Sequence, residues 1–353
     1  MGGKATLKTG ECSEKIILKE FTNAQYTRFK QSLIELIEDF NQKYKIFAGE
    51  PLWTDHNEIV NYDIFSGSGN AFFKKNRDEY INVKPIMGDL DVQVPDKNRE
   101  KLKKFLENSC GATFGKFKYL GTKYGLDFYN VFQAPKEFNP SATFVQIDFE
   151  FNEYEDGKPN QFDLWAKNSE WIDLQEGLKG VAKQELLPCV YKIKYKRMGV
   201  LLQPKSDIPA KNQRGGNFNS LSLGPKGSRG HYIPALDENG KQKVVNGLLA
   251  YRETSVKDTG TNKNLDKIFE ELFDHQPDER ERNLFWSYQG CLQLMKENYT
   301  EERIKEIYNL YSKHMLDHTD NETVYNTIMK KYEEYFPYIN MNFDKYLKQV
   351  TGA

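Results

Sequence analysis

Two short stretches of this 353-residue chain gather carboxylates in a way that could do chemistry. In Gly88-Asp89-Leu90-Asp91-Val92-Gln93-Val94 the apolar residues Leu90, Val92 and Val94 fall on every second position. A strand alternates its side chains between two faces, so Asp89 and Asp91 share the opposite one. Residues 144–151 repeat the pattern: Val145, Ile147, Phe149 and Phe151 face one way, Asp148 and Glu150 the other. Carboxylates on adjacent strands would repel each other, and a divalent cation relieves that repulsion. Oxygen ligands of this kind suit Mg²⁺, and two ions roughly 3.5–4 Å apart can clamp an in-line displacement at phosphorus. Alone, an Asp-x-Asp on a strand is more often a solvated face.

The order of the surrounding residues adds weight. A short apolar run at 62–65 enters Ser66-Gly67-Ser68-Gly69, and a helical pattern starts at Asn70. Amides and a hydroxyl at such a turn can cradle phosphates. The loop lacks the Lys-Ser/Thr ending of a P-loop and the spacing of a dinucleotide fingerprint.

Together, Phe65-Ser66-Gly67-Ser68-Gly69, Gly88-Asp89-Leu90-Asp91-Val92 and Ile147-Asp148-Phe149 resemble the DNA polymerase β-like nucleotidyltransferase superfamily, over roughly residues 20–190. The resemblance implies an α+β fold, with a small mixed β-sheet and packed helices followed by a mainly helical C-terminal domain. It implies Asp89, Asp91 and Asp148 as the catalytic acids, holding two Mg²⁺ ions, and Gly67 and Ser68 on the β- and γ-phosphates of an NTP such as ATP. The implied reaction moves NMP to a hydroxyl acceptor and releases pyrophosphate. Asp148 fits the apolar-Asp-apolar pattern and is preferred as third acid, although Glu150 shares its face. About twenty residues separate Ser68 from Asp89, more than compact members of that superfamily show. From another class, the alternative is a non-catalytic nucleic-acid-binding or scaffold protein on a degenerate fold of this type.

Other candidates are basic. Lys179 and Lys183 stand at i, i+4 on an amphipathic helix expected at 171–187. The resemblance would set them on the triphosphate, and a solvated helix face is the more ordinary account. Formal charge is −1 for the whole chain, yet residues 191–262 carry 13 basic against 5 acidic side chains. Lys192, Lys194 and Lys196 alternate with Tyr191, Ile193 and Tyr195, as on a strand with a cationic face. Lys194, Lys196, Arg214 and Arg229 are therefore candidate acceptor contacts for a polyanion such as RNA. Charge balance against the acidic tail, 12 basic to 17 acidic over 263–353, explains the segment equally well. His314 and His318 have helical i, i+4 spacing without a third metal ligand, and His56, His231 and His275 stand isolated.

The elements that must position these residues follow from periodicity. A helix is expected over 23–44, with Thr22 as cap and Phe29, Leu33, Leu36, Ile37 and Phe40 along one side. A helical pattern covers 70–80, strands cover 86–94, 117–120, 127–133 and 142–151, and a helix covers 97–108. Helices are expected at 265–274, 281–298, 300–316, 322–336 and 343–350. The expected organisation is an arm at 1–18, a nucleotidyltransferase-like domain at 19–190, a basic loop-rich segment at 191–262 and a helical domain at 263–353. Aromatics at 14% can fill a core. Cys12, Cys110, Cys189 and Cys291 form no CxxC pair. No apolar run suggests a signal peptide or a membrane span, so a cytoplasmic protein without a membrane partner is expected.

Overall fold

A computed structural model describes residues 5–135, 138, 144–203, 206–210, 216–255, 260–319 and 322–339. The fold is α+β, in two compact units, Met1–Gln175 and Glu176–Ala353. Among the described residues no helix is long and apolar enough to cross a membrane.

In the first unit the two acid-bearing strands are neighbours. Strand β1 (Leu90–Pro95) belongs to a five-stranded sheet with β2 (Thr113–Phe114), β3 (Phe117–Tyr124), β4 (Phe128–Gln133) and β5 (Phe144–Asn152), in the order β1-β5-β4-β3-β2. β1 and β5 are parallel, with Asp91 opposite Asp148 and Gln93 opposite Glu150. The remaining pairs are antiparallel.

Helix α1 (Asn23–Ala48) decides which sheet face is apolar. Thr22 and Gln25 form a capping box at its start, and Gly49 closes it in the left-handed region. It buries Tyr26, Phe29, Leu33, Leu36, Ile37, Phe40 and Tyr44 in the same core as Val92, Val94, Ile147 and Phe149. The Phe40 and Phe149 rings meet edge-on at 5.1 Å. With those strand residues committed to the core, period two sends Asp89, Asp91 and Asp148 to the far face.

Between loop and acids lie α2 (Gly69–Lys74) and α3 (Arg77–Val83), followed after β1 by α4 (Arg99–Asn108). The single helical pattern at 70–80 is thus two helices. Lys75 is extended, and Asn76 opens α3 with its own capping box to Glu79. The expected helix at 171–187 also splits. A short helix Trp171–Gln175 ends in the first unit, and α5 (Val181–Lys194) begins after Gly177, whose φ is +72°.

The second unit corrects the reading of the basic segment. Lys192 and Lys194 finish α5 instead of alternating on a strand. Leu186, Leu187, Val190 and Tyr191 are buried at helical spacing, and this longer pattern overrides the short alternation. Strands β6 (Lys196–Leu202), β7 (Gly216–Asn219), β8 (Leu221–Gly224), β9 (Gly227–Gly230), β10 (Tyr232–Pro234) and β11 (Leu248–Glu253) follow. β6 lies between antiparallel β7 and parallel β11, β10 flanks β11, and β8 pairs with β9 as a hairpin.

Helices α6 (Leu265–Phe273), α7 (Glu279–Phe285), α8 (Tyr288–Asn298), α9 (Glu301–His318) and α10 (Glu322–Tyr335) complete the helical region. The expected helix at 281–298 is broken because Ser287 caps α8 through the Gly290 amide. A Cβ on Gly290 would sit 1.9 Å from the Leu284 carbonyl oxygen, so only glycine permits that approach. The expected helix at 343–350 lies outside the described residues.

Candidate functional site

The carboxylates of Asp89, Asp91 and Asp148 converge. One oxygen from each lies within 4.8 Å of the others. Parallel pairing of β1 and β5 sets Asp91 beside Asp148, and Asp89 enters from the residue just before β1. Such proximity is costly for three anions. Burial pushes the Asp91 carboxyl well above the usual range, and Glu150, Asp89 and Asp148 push it further. Asp148 is 6% exposed and is pushed up to about 7, by burial first and then by Asp89 and Glu150. A hydrogen bond from Gln146 Nε2 to Asp148 Oδ1, at 2.7 Å, opposes that rise.

The donor set fits a divalent cation. It offers only carboxylate oxygens, close enough to share an ion, and their mutual repulsion remains where one would bind. Glu150 is occupied differently. Its Oε2 accepts from the Ser66 hydroxyl at 2.8 Å, and Lys167 Nζ lies 3.7 Å away. Buried Gln93 donates to the same hydroxyl oxygen at 2.6 Å. Glu150 ties the start of the loop to the sheet, and Asp148 is the third acid of the cluster.

The Gly-Ser loop borders the acids. Residue Phe65 bridges to Val92, and the Ser66 amide donates to the Asp91 carbonyl at 3.1 Å. The Gly67 amide is spent on the Lys167 carbonyl at 2.9 Å, and that of Gly69 on the Ser66 carbonyl. The expectation that the Gly67 amide holds a phosphate is therefore corrected. What Gly67 supplies is room: its φ is +59°, and a Cβ there would lie 2.6 Å from Asp91 Oδ2. Ser68 presents a hydroxyl, to which Lys84 Nζ donates. Tyr80 OH donates to the Ser68 carbonyl at 3.3 Å.

Three participants escaped the sequence reading. Lys84, at the end of α3, reaches both Ser68 and the field of Asp91, whose carboxyl its charge pulls down. Gln146 carries the hydrogen bond to Asp148, and Lys167 anchors Gly67 and faces Glu150. Gln146 was detectable, since it shares the face of Asp148 two residues earlier. Nothing local marks Lys84 or Lys167, because their roles arise through pairing across the fold. Lys74 and Lys75, just after the loop, line a groove of about 690 Å³ along α1 and α3 to which none of the three acids contributes.

The basic candidates fare differently. Lys179 is exposed in a turn before α5, so it shares no helix face with Lys183. Lys183 is 1% exposed and donates to the Trp286 carbonyl at 2.5 Å. Its ammonium is committed inside the second unit, so Lys183 is withdrawn as a triphosphate ligand. Lys194 donates to the Leu272 carbonyl at 2.6 Å and pairs with Asp274 at 2.8 Å, its side chain 9% exposed. It stabilises the second unit and is withdrawn as an acceptor contact. Lys196 is exposed at the start of β6, Arg229 is half-buried in β9, and Arg214 lies outside the described residues. Two of the histidines also find partners: His314 contacts Glu185 at 2.5 Å, and His231 Nε2 contacts Ser222 Oγ at 2.7 Å. Compared with known proteins, the chain matches no family model, no curated protein and no solved structure.

Proposed function

We propose that this chain is a Mg²⁺-dependent nucleotidyltransferase of the DNA polymerase β-like kind, moving NMP from an NTP to a hydroxyl acceptor. The observation that carries this reading is the convergence of Asp89, Asp91 and Asp148 beside the Ser66–Gly69 turn. Divalent cations held by those acids would neutralise charge on the reacting phosphoryl group and its leaving oxygens. Asp148, oriented by Gln146, helps to deprotonate the attacking hydroxyl. The Ser68 hydroxyl and the Lys84 ammonium meet the β- and γ-phosphates, replacing their contact with each other. Positioning and charge neutralisation then supply most of the rate. RNA is the acceptor class we propose, through Lys196 and Arg229.

The test begins with binding. Wild-type protein should bind Mg²⁺–ATP or Mg²⁺–GTP by calorimetry and should transfer label from an α-labelled NTP. Asp89→Asn should lose the metal-dependent part of binding and the labelled product. Metal-independent binding that Asp89→Asn leaves intact would remove the acids from the function and favour a non-catalytic scaffold.

A further inference from the structure

From the hydrogen bonds of the N-terminal arm, we infer that residues Ala5–Ser13 are a built-in support of the proposed metal site, acting on Asp148 through Gln146. This rests on the nucleotidyltransferase reading and adds a positioning role to it. The arm folds back on itself, with Thr6 bridged to Cys12 and the Ser13 amide donating to the Ala5 carbonyl at 3.0 Å. Leu7 and Ala5 pack on Val131 of β4. Two donors from the arm meet one atom: the Ala5 amide and the Ser13 hydroxyl each lie 2.8 Å from Gln146 Oε1. A backbone N–H can only donate, so the oxygen of the Gln146 amide must face the arm. Its NH₂ group must then face Asp148, where Nε2 meets Oδ1 at 2.7 Å.

Ser13, Gln146 and Asp148 are 5%, 4% and 6% exposed, so water offers no ready substitute for this chain of bonds. One carboxylate oxygen is held, and the other is left for a cation. Groups that orient a metal ligand in this way change affinity by about 10- to 100-fold when removed.

Mn²⁺ alone is the probe, titrated into the full chain and followed by electron paramagnetic resonance, with unfolding midpoints measured in parallel. Gln146→Met should weaken the tightest Mn²⁺ site about tenfold. Ser13→Ala should weaken it several-fold, and Ser13→Thr, which keeps the hydroxyl, should restore it. Should Gln146→Met fail to fold, the serine pair decides. Wild-type affinity in Ser13→Ala, or equal loss in Ser13→Ala and Ser13→Thr, would overturn the inference while leaving the metal site standing. Absence of Mn²⁺ binding by the wild type would instead bring down the nucleotidyltransferase reading, and this inference with it.

Discussion

The two units treat charge in opposite ways. In the second, several cations of the described residues are satisfied: Lys183 on the Trp286 carbonyl, Lys194 on Asp274 and Leu272, and Lys243 and Arg252 together on Asp207. In the first, the sheet brings Asp89, Asp91 and Asp148 together and leaves Asp91 and Asp148 with raised proton affinities. Lys84 supplies part of the missing positive charge, and Lys167 sits on Glu150. Balanced charges hold a fold together without any outside ligand. Clustered like charges cost stability until a proton or a cation arrives, which makes them the better pointer to function.

The comparison is broken or sharpened most strongly at the acids. Asp91→Asn should reduce transfer by about a thousandfold, while raising the metal-free unfolding midpoint above pH 7 by a few degrees, because one buried anion is gone. An unchanged transfer rate would take Asp91 out of the mechanism. The pH dependence has a definite sign. Asp148 titrates at about 7 in the fold against 3.8 for the ordinary carboxyl, so the protonated form favours the folded state. That stability is complete below about pH 4 and is lost as pH rises through 7, on the order of 4 kcal/mol if Asp148 acted alone. Asp91 shifts in the same direction. Thermal melts in chelator should therefore worsen from pH 5 to pH 8, and millimolar Mg²⁺ should recover the loss at the upper end. A flat profile in chelator would mean that the acids are not mutually strained.

A smaller effect is expected at the loop. Gly67→Ala places a methyl against Asp91 Oδ2 at a backbone angle that favours glycine, costing about 1–2 kcal/mol. Transfer should fall more than stability does, as read by kcat beside the unfolding midpoint. Equal activity of the alanine variant would mean that the loop can shift away from the acids.

The second unit offers the contrasting case. Lys194→Met should lower stability by about 1 kcal/mol, through the broken bonds to Leu272 and Asp274, and leave NTP binding unchanged. Lys196→Glu with Arg229→Glu should leave stability within about 0.5 kcal/mol. In the same double variant, log–log salt plots of single-stranded RNA binding should flatten by about 0.7 for each phosphate no longer neutralised. An unchanged salt slope would move the acceptor to a protein or a small molecule.

Much of the first unit was legible in the linear chain, because period and capping are local. Thr22 starts α1, Leu90, Val92 and Val94 define one face of β1, and Val145, Ile147 and Phe149 do the same for β5. From alternation alone, Asp89 and Asp91 share a face, as do Asp148 and Glu150. The misreadings arose where short patterns compete. Tyr191 to Lys196 alternates like a strand, yet α5 runs through Lys194 because the longer helical spacing buries more apolar surface. The patterns at 171–187 and 281–298 look continuous, and each is cut by a turn that no break in the apolar spacing announces.

What the sequence by itself determined, then, is which residues face away from the core. Only tertiary structure decided which of those outward residues meet. Parallel pairing in the register Asp91 with Asp148 separates the third acid from Glu150, which turns to Ser66 and Lys167. Other contacts between segments apart in the sequence bring Lys84 to Ser68 and Gln146 to the arm. Register, loop closure and burial are properties of the folded whole, and an isolated carboxylate or lysine carries no record of its eventual partner.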